Sequence, residues 1–172
     1  VVGIIGLGQV GRQVYQHLKN FDFQIIAYDP YQSLNFSNEK ISFYSDIDRV
    51  FSLADVVSVH LPALPETNSL IAKKQFELLK KDAVFINTSR GSVIDEQDLI
   101  EFLQKRSDVF AFLDVTQREP LNMDSELYNM SNVFLTPHIS GGNPNEFKRN
   151  GDLMLREYDL LIAENKLQWE IT

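Results

Sequence analysis

Short apolar runs alternate along this chain with segments whose apolar residues recur every three or four positions. Val1, Val2, Ile4 and Ile5 predict a first strand, which breaks at Gly6-Leu7-Gly8-Gln9-Val10-Gly11 before a helical pattern through Leu18. A second run, Phe23 to Tyr28, ends at Asp29-Pro30. The polar stretch Tyr31 to Lys40 has no helical pattern, and Ile41 to Tyr44 predicts a short strand after it. Ser45 or Asp46 can cap a brief helix through Arg49, Val50 and Phe51. Val56 to Leu61 is nearly continuously apolar, as expected of a parallel strand covered on both faces, and Pro62 and Pro65 stop it. Leu70, Ile71, Phe76, Leu78 and Leu79 predict one or two short helices between Thr67 and Leu79. Ala83 to Asn87 predicts another strand, and Asp95 caps a helix to about Lys105 whose buried stripe is Leu99, Ile100, Phe102 and Leu103. Val109 to Val115 and Val133 to Leu135 complete the strands. Asn143-Pro144-Asn145-Glu146 has a side-chain cap, proline at the first helical position and a glutamate three after the cap. The helix it opens runs to about Glu164, with Phe147, Met154, Leu155, Tyr158, Leu161 and Ile162 as a core or interface face.

Strand and helix in regular alternation imply an α/β fold with a doubly wound parallel sheet. In a strand-turn-helix of this kind, the first glycine allows the bend and the second lets backbone N–H groups approach a pyrophosphate. The third lets the helix pack closely on the strand, and the phosphates sit at the helix N-terminus. Asp29, about twenty residues beyond the glycines, is placed to accept both adenosine ribose hydroxyls. The pattern is that of a Rossmann NAD(P)-binding fold, and the acidic Asp29, with no arginine in Pro30-Tyr31-Gln32, favours NAD over NADP.

A chain of 172 residues can bury a core of its own. Its net charge of −8, with both signs interspersed, argues against a nucleic-acid surface. Without cysteine there is no disulfide, thiolate metal site or cysteine nucleophile. The three histidines are too dispersed for a metal motif, and no apolar run approaches the length of a membrane span. A cytoplasmic protein is the expectation. The chain opens inside its first strand without an initiator methionine, which suggests a fragment or excised domain.

The strands beginning at Val1, Phe23, Val56, Ala83, Val109 and Val133 end in Gly6, Asp29, His60, Thr88 to Arg90, Asp114 and His138. Parallel strands finish on one edge, so these groups are expected to line one crevice. Taken singly they are ordinary: a surface arginine, a solvated turn glutamate before Pro120, a structural histidine after a proline. Together they carry chemistry. His60, directly after Val59, reads as a wall of the cofactor site and as the alternative proton donor, while His17 reads as a bystander in its helix.

At these residues the chain resembles the NAD-binding domain of the D-isomer-specific 2-hydroxyacid dehydrogenases. The likeness runs through Gly6 to Gly11, His60-Leu61-Pro62 with Pro65-Glu66-Thr67, Asn87-Thr88-Ser89-Arg90-Gly91, Asp95-Glu96, Asp114-Val115 with Glu119-Pro120, and Thr136-Pro137-His138. It implies a catalytic set of Arg90, Glu119 and His138. It also implies cofactor contacts at Gln9-Val10, Asp29-Pro30, His60-Leu61-Pro62, Thr67, Thr88 to Arg90, Asp114, His138 and Gly141, beside Gly6, Gly8 and Gly11. Reduction of a 2-oxo acid needs a hydride at the carbonyl carbon and a proton at its oxygen. A histidine suits the second task, a glutamate can orient it, and the fixed fork of an arginine can hold the substrate carboxylate and carbonyl. Asp114 is placed for the nicotinamide carboxamide.

The implied reaction exchanges a hydride between NADH and a 2-oxo acid or D-2-hydroxy acid. The implied partners are that small-molecule substrate and a second copy in a homodimer, with neither nucleic acid nor membrane. The whole chain reads as one dinucleotide-binding domain whose helix from about residue 144 reaches toward a substrate domain absent from these residues. Asn165 stands where glycine is common in the family. An NAD-sensing, corepressor-like dimeric module without turnover is the alternative, and a structural dimerisation domain without ligand is a third reading.

Overall fold

The computed structural model describes residues 1–31, 41–142, 144–164 and 167. Two compact units divide the chain, Val1–Pro137 and His138–Thr172. In the first, strands β1 (Val2–Ile5), β2 (Ile25–Tyr28), β3 (Ile41–Tyr44), β4 (Val56–Val59), β5 (Val84–Asn87), β6 (Phe110–Leu113) and β7 (Val133–Leu135) form one sheet in the order β3-β2-β1-β4-β5-β6-β7. Every pairing in it is parallel. The doubly wound parallel sheet expected from the alternating pattern is what the chain forms.

Helix α1 (Gln9–Leu18) follows β1, and α2 (Ile47–Leu53), α3 (Lys73–Glu77) and α4 (Glu96–Lys105) precede β4, β5 and β6. Alternate residues of each strand face opposite sides, so the sheet has two cores. Ile4, Ile25 and Ala27 pack with Leu7 and Tyr15 on the α1 side. Ile5, Ile26, Val57, Val59, Phe85, Ala111 and Leu113 pack with residues of α2, α3 and α4 on the other. Asp46 and Asp95 cap α2 and α4 as the sequence suggests, accepting the N–H of Asp48 and Asp98 at 3.0 Å each.

The strand ends are in register. Ile5 lies beside Tyr28 and Val59, Val59 beside Asn87, Asn87 beside Leu113, and Leu113 beside Leu135. Each is the last residue of its strand, so the residues that follow, from Gly6 and Asp29 to Thr136, emerge along one rim.

Some elements differ from the sequence pattern. Phe23 lies outside β2, half-exposed and stacked on Phe21 with ring centroids 5.7 Å apart. The stretch Thr67–Leu79 holds only the five-residue α3, after a 3-10 turn at Pro65–Thr67. Phe110, Phe112 and Phe134 stand exposed on one face of β6 and β7, the Phe112 and Phe134 rings stacked at 4.6 Å. There α2 to α4 cover the opposite face.

The second unit carries α5 (Pro144–Glu164), of the length the sequence pattern predicts. Phe147, Met154, Leu155, Tyr158, Leu161 and Ile162, expected as core or interface, are exposed in the single chain. The cap expected of Asn143, the polar stretch from Gln32 to Lys40 and the change at Asn165 lie outside the described residues. No helix among the described residues is long and apolar enough to cross a membrane.

Candidate functional site

Gly6 takes φ +91°, the left-handed turn that frees the chain from β1, and its N–H donates to the Tyr28 carbonyl at 2.8 Å. A Cβ on Gly11 would stand 2.1 Å from the Gly6 carbonyl oxygen, so only a glycine lets α1 come this close to the turn. Gly8 is different: a Cβ there meets nothing within 4 Å. The first and third glycines serve packing, and the second faces open space.

That space is a crevice of about 510 Å³ lined by Gly8, Gln9, Val10, His60, Leu61, Pro62, Ala63, Thr88, Ser89 and Arg90. It joins the N-terminus of the ten-residue α1 to the segments leaving β4 and β5. No acidic residue occupies the first turn of α1, so its unpaired N–H groups and dipole favour an anion. A dinucleotide pyrophosphate fits this cradle, since the open side of Gly8 leaves room for phosphate oxygens against the backbone.

The His60 segment is tied to the glycine turn. Its backbone N–H donates to the Ile5 carbonyl at 2.7 Å, and its ring Nε2 lies 3.0 Å from the Ser58 hydroxyl. Burial pushes the His60 imidazole down to about 4, so the ring is neutral at physiological pH. The Thr67 hydroxyl, expected at the cofactor, donates toward the Pro62 carbonyl at 2.6 Å and accepts the Leu64 N–H at 2.9 Å. It shapes the loop that Leu61, Pro62 and Ala63 present.

At the end of β5, buried Asn87 builds the next turn. Its Oδ1 accepts the Ser89 N–H at 3.0 Å and the Ser89 hydroxyl at 2.8 Å, while its Nδ2 donates to the Arg90 carbonyl at 3.0 Å. Arg90 is exposed, with Nη1 donating to the Ser89 carbonyl at 2.6 Å. Beyond it, Gly91 lies flush against the loop after β6: a Cβ there would stand 1.9 Å from the Thr116 carbonyl oxygen. The Gln117 N–H donates to Glu96 at 2.8 Å, tying that loop to α4. Glu119 lies exposed on the same loop, its Oε1 accepting the Thr116 N–H at 3.3 Å. The segments carrying Arg90 and Glu119 are therefore joined at Gly91.

Asp29 and Asp114 leave their strands on the rim but do not line the crevice. Asp29 accepts the Leu7 N–H at 2.7 Å through Oδ2 and the Tyr31 N–H at 2.8 Å through Oδ1. Pro30 beside it is exposed. Asp114 is buried and accepts the Thr136 hydroxyl.

His138 and Gly141 belong to the second unit. His138 is exposed and takes φ +53°, a left-handed conformation rare for a non-glycine residue and common at functional positions. Gly141 lies in a turn closed by the Gly142 N–H on the Ile139 carbonyl at 3.0 Å. No cluster of metal-ligating side chains occurs among the described residues.

The crevice adds Ala63 and the turn-building Asn87 to the residues singled out from sequence. Ala63 has no chemistry to announce it. Asn87 carries the signal of a turn former at a strand end, which sequence reasoning recorded only as part of a motif.

Comparison with known proteins matches this geometry. Residues 1–140 fit the family described as the NAD binding domain of D-isomer specific 2-hydroxyacid dehydrogenases. The glyoxylate/hydroxypyruvate reductase B of an Enterobacter species is 41% identical over 140 residues, which cover 80% of this chain and 43% of that protein. The D-lactate dehydrogenase of Lactobacillus jensenii, solved with NAD+, has a TM-score of 0.82 at 28% identity, covering 99% of this chain and 55% of that one. An NADPH-dependent glyoxylate/hydroxypyruvate reductase of Sinorhizobium meliloti, solved with NADP and sulfate, has a TM-score of 0.85 at 26% identity over 97% of this chain and 54% of that one. The chain spans about a quarter to a half of the length of the curated relatives it matches. With the glycine turn, the parallel rim and the crevice in place, the chain belongs to the NAD-binding domain family of the D-isomer specific 2-hydroxyacid dehydrogenases.

Proposed function

We propose that this chain is the dinucleotide-binding part of an NAD-dependent oxidoreductase that interconverts a 2-oxo acid and a D-2-hydroxy acid. The observation that carries the reading is the shared crevice: the α1 N-terminus and Arg90 line one cavity, an anion cradle and a carboxylate-binding guanidinium on the same rim. The nicotinamide supplies the hydride when the cofactor is bound. The chain supplies the rest.

Gly8, Gln9 and Val10 hold the pyrophosphate, and His60, Leu61 and Pro62 wall the cofactor with Thr88 and Ser89 opposite. Asp29 accepts the ribose hydroxyls through lone pairs not engaged by the two backbone N–H groups, and its charge repels a 2′-phosphate, which favours NAD. Asp114 receives the nicotinamide carboxamide. Arg90 binds the substrate carboxylate and polarises its carbonyl. His138 delivers the proton to the carbonyl oxygen, with Glu119 orienting the imidazole. His60, held neutral by burial, suits a wall and not an acid. A homodimer is the expected assembly.

The test pairs a titration of the chain with NADH and NADPH against NADH oxidation by the protein with glyoxylate, pyruvate, hydroxypyruvate and longer 2-oxo acids. NADH is expected to bind tighter than NADPH, and at least one 2-oxo acid to be reduced to its D-hydroxy product. Binding without turnover of any 2-oxo acid would overturn the enzymatic reading.

A further inference from the structure

The peptides on either side of Leu7 are each held by a side chain from outside the glycine turn. The Leu7 N–H donates to Asp29 Oδ2 at 2.7 Å, and the Leu7 carbonyl accepts Arg12 Nε–H at 2.9 Å. The Leu7 side chain is fully buried in the α1-side core. Asp29 comes from the end of β2 and Arg12 from the first turn and a half of α1, so two elements grip one residue of the loop.

The Leu7–Gly8 peptide needs such a grip. Rotating it by a half-turn changes only Leu7 ψ and Gly8 φ, and glycine tolerates the left-handed φ that results. Gly8 sits at φ −67°, and with no side chain it has no steric bar to the flipped state. Because a trans peptide is planar, a carbonyl pointing at Arg12 sends the Gly8 N–H the opposite way. Arg12 does not line the crevice, whereas Gly8 does. A flip would replace an N–H donor in the pyrophosphate cradle by a carbonyl oxygen, turning an attraction for anions into repulsion.

We infer that Arg12 is a positioning residue, whose Nε–H latches the Leu7–Gly8 peptide with its N–H turned to the phosphate side of the crevice. The inference rests on the dinucleotide site proposed above and assigns Arg12 a role through Gly8, not a contact of its own with the cofactor. It separates the donor from the positive charge. A glutamine at this position carries an N–H donor the same number of bonds from the backbone as arginine Nε. A methionine matches the length without a donor, and both lack the charge.

The experiment compares the chain with its Arg12→Gln and Arg12→Met forms by NADH titration and by the Gly8 amide resonance of the unliganded proteins. Arg12→Met is expected to weaken NADH binding about five- to tenfold, the worth of one oriented hydrogen bond, and to broaden or double the Gly8 amide signal. Arg12→Gln is expected to stay within about twofold of the parent and keep one sharp signal. Equal losses in both variants would make the guanidinium charge the operative feature and overturn the latch, as would an Arg12→Met form that binds like the parent with an unchanged Gly8 signal. A parent chain that fails to bind NADH would count against the dinucleotide site itself, and the Gly8 resonance would still decide the latch.

Discussion

Gly91 and Thr116 meet backbone to backbone: a Cβ on Gly91 would stand 1.9 Å from the Thr116 carbonyl oxygen and 2.0 Å from its carbonyl carbon. The contact fastens the Arg90 turn after β5 to the loop that carries Glu119 after β6. Neither partner can retreat easily. Gly91 opens a 3-10 turn at Gly91–Val93 whose Val93 is buried, and Gln117 beside Thr116 is bonded to Glu96.

Gly91→Ala is therefore expected to destabilise the chain by about 3 kcal/mol or more, because backbone atoms on both sides must move to admit one methyl group. Urea denaturation measures the loss. In the fraction that folds, Arg90 shifts relative to the crevice, and 2-oxo acid reduction is expected to suffer more than NADH binding. A midpoint like that of the parent would mean that the two loops slide freely past each other.

Gly8→Ala should do the reverse. The added Cβ has no neighbour within 4 Å, and φ −67° suits alanine. Stability is expected to stay within about 0.5 kcal/mol of the parent. The methyl group stands in the space the pyrophosphate requires, so NADH affinity is expected to fall at least about tenfold, close to the loss of one or two oriented backbone hydrogen bonds. Two alanines at glycines of neighbouring loops thus separate folding from binding. Calorimetric titration beside thermal unfolding reads both.

The fold was legible because its signals are local. Apolar runs, Asp46 and Asp95 at helix starts, and the glycine turn each declare an element within a few residues, and the parallel rim follows from their alternation. Contacts between distant segments were not legible. Asn132 donates Nδ2 to the carbonyls of Leu103, Arg106 and Val109 at 3.2, 3.2 and 2.9 Å, closing the end of α4 from 23 to 29 residues away. Nothing in the residues around Asn132 announces that role. The same holds for the site: the motifs named Arg90 and Glu119, yet the Gly91–Thr116 contact that joins their loops depends on two segments brought together by β5 pairing with β6. The exposed apolar positions of α5 show the other limit, since periodicity predicts a face without saying what covers it.

His60 couples the crevice wall to pH. Burial lowers its imidazole from the ordinary 6.5 to about 4, so the unfolded chain takes up a proton at a higher pH than the folded chain does. Stability from this group is full above pH 6.5, falls as pH drops toward 4 and levels off below. At pH 5 the loss is about 2 kcal/mol. His60→Gln removes the proton-binding group, so the decline in unfolding free energy between pH 7 and pH 5 is expected to be smaller in the variant by about that amount. Denaturant titrations at the two pH values supply the comparison, and parallel declines would show that His60 titrates alike in both states.

Glu119 and the proton supply give the sharpest test of the proposed chemistry. Glu119→Gln keeps a carbonyl oxygen for the Thr116 N–H that Glu119 Oε1 accepts at 3.3 Å, so the loop that meets Gly91 stays in place. What the substitution removes is the negative charge. If that charge stabilises the protonated imidazole of His138, its loss makes the proton donor harder to populate as pH rises. The alkaline limit of 2-oxo acid reduction is then expected to move to lower pH, and kcat to fall by about a hundredfold, within the ordinary range for a general acid that loses its partner. NADH binding, which does not use that proton, is expected to be unchanged. A kcat–pH profile for the variant that overlays the parent's would remove Glu119 from the role, whereas equal losses in NADH affinity and kcat would assign it to cofactor binding.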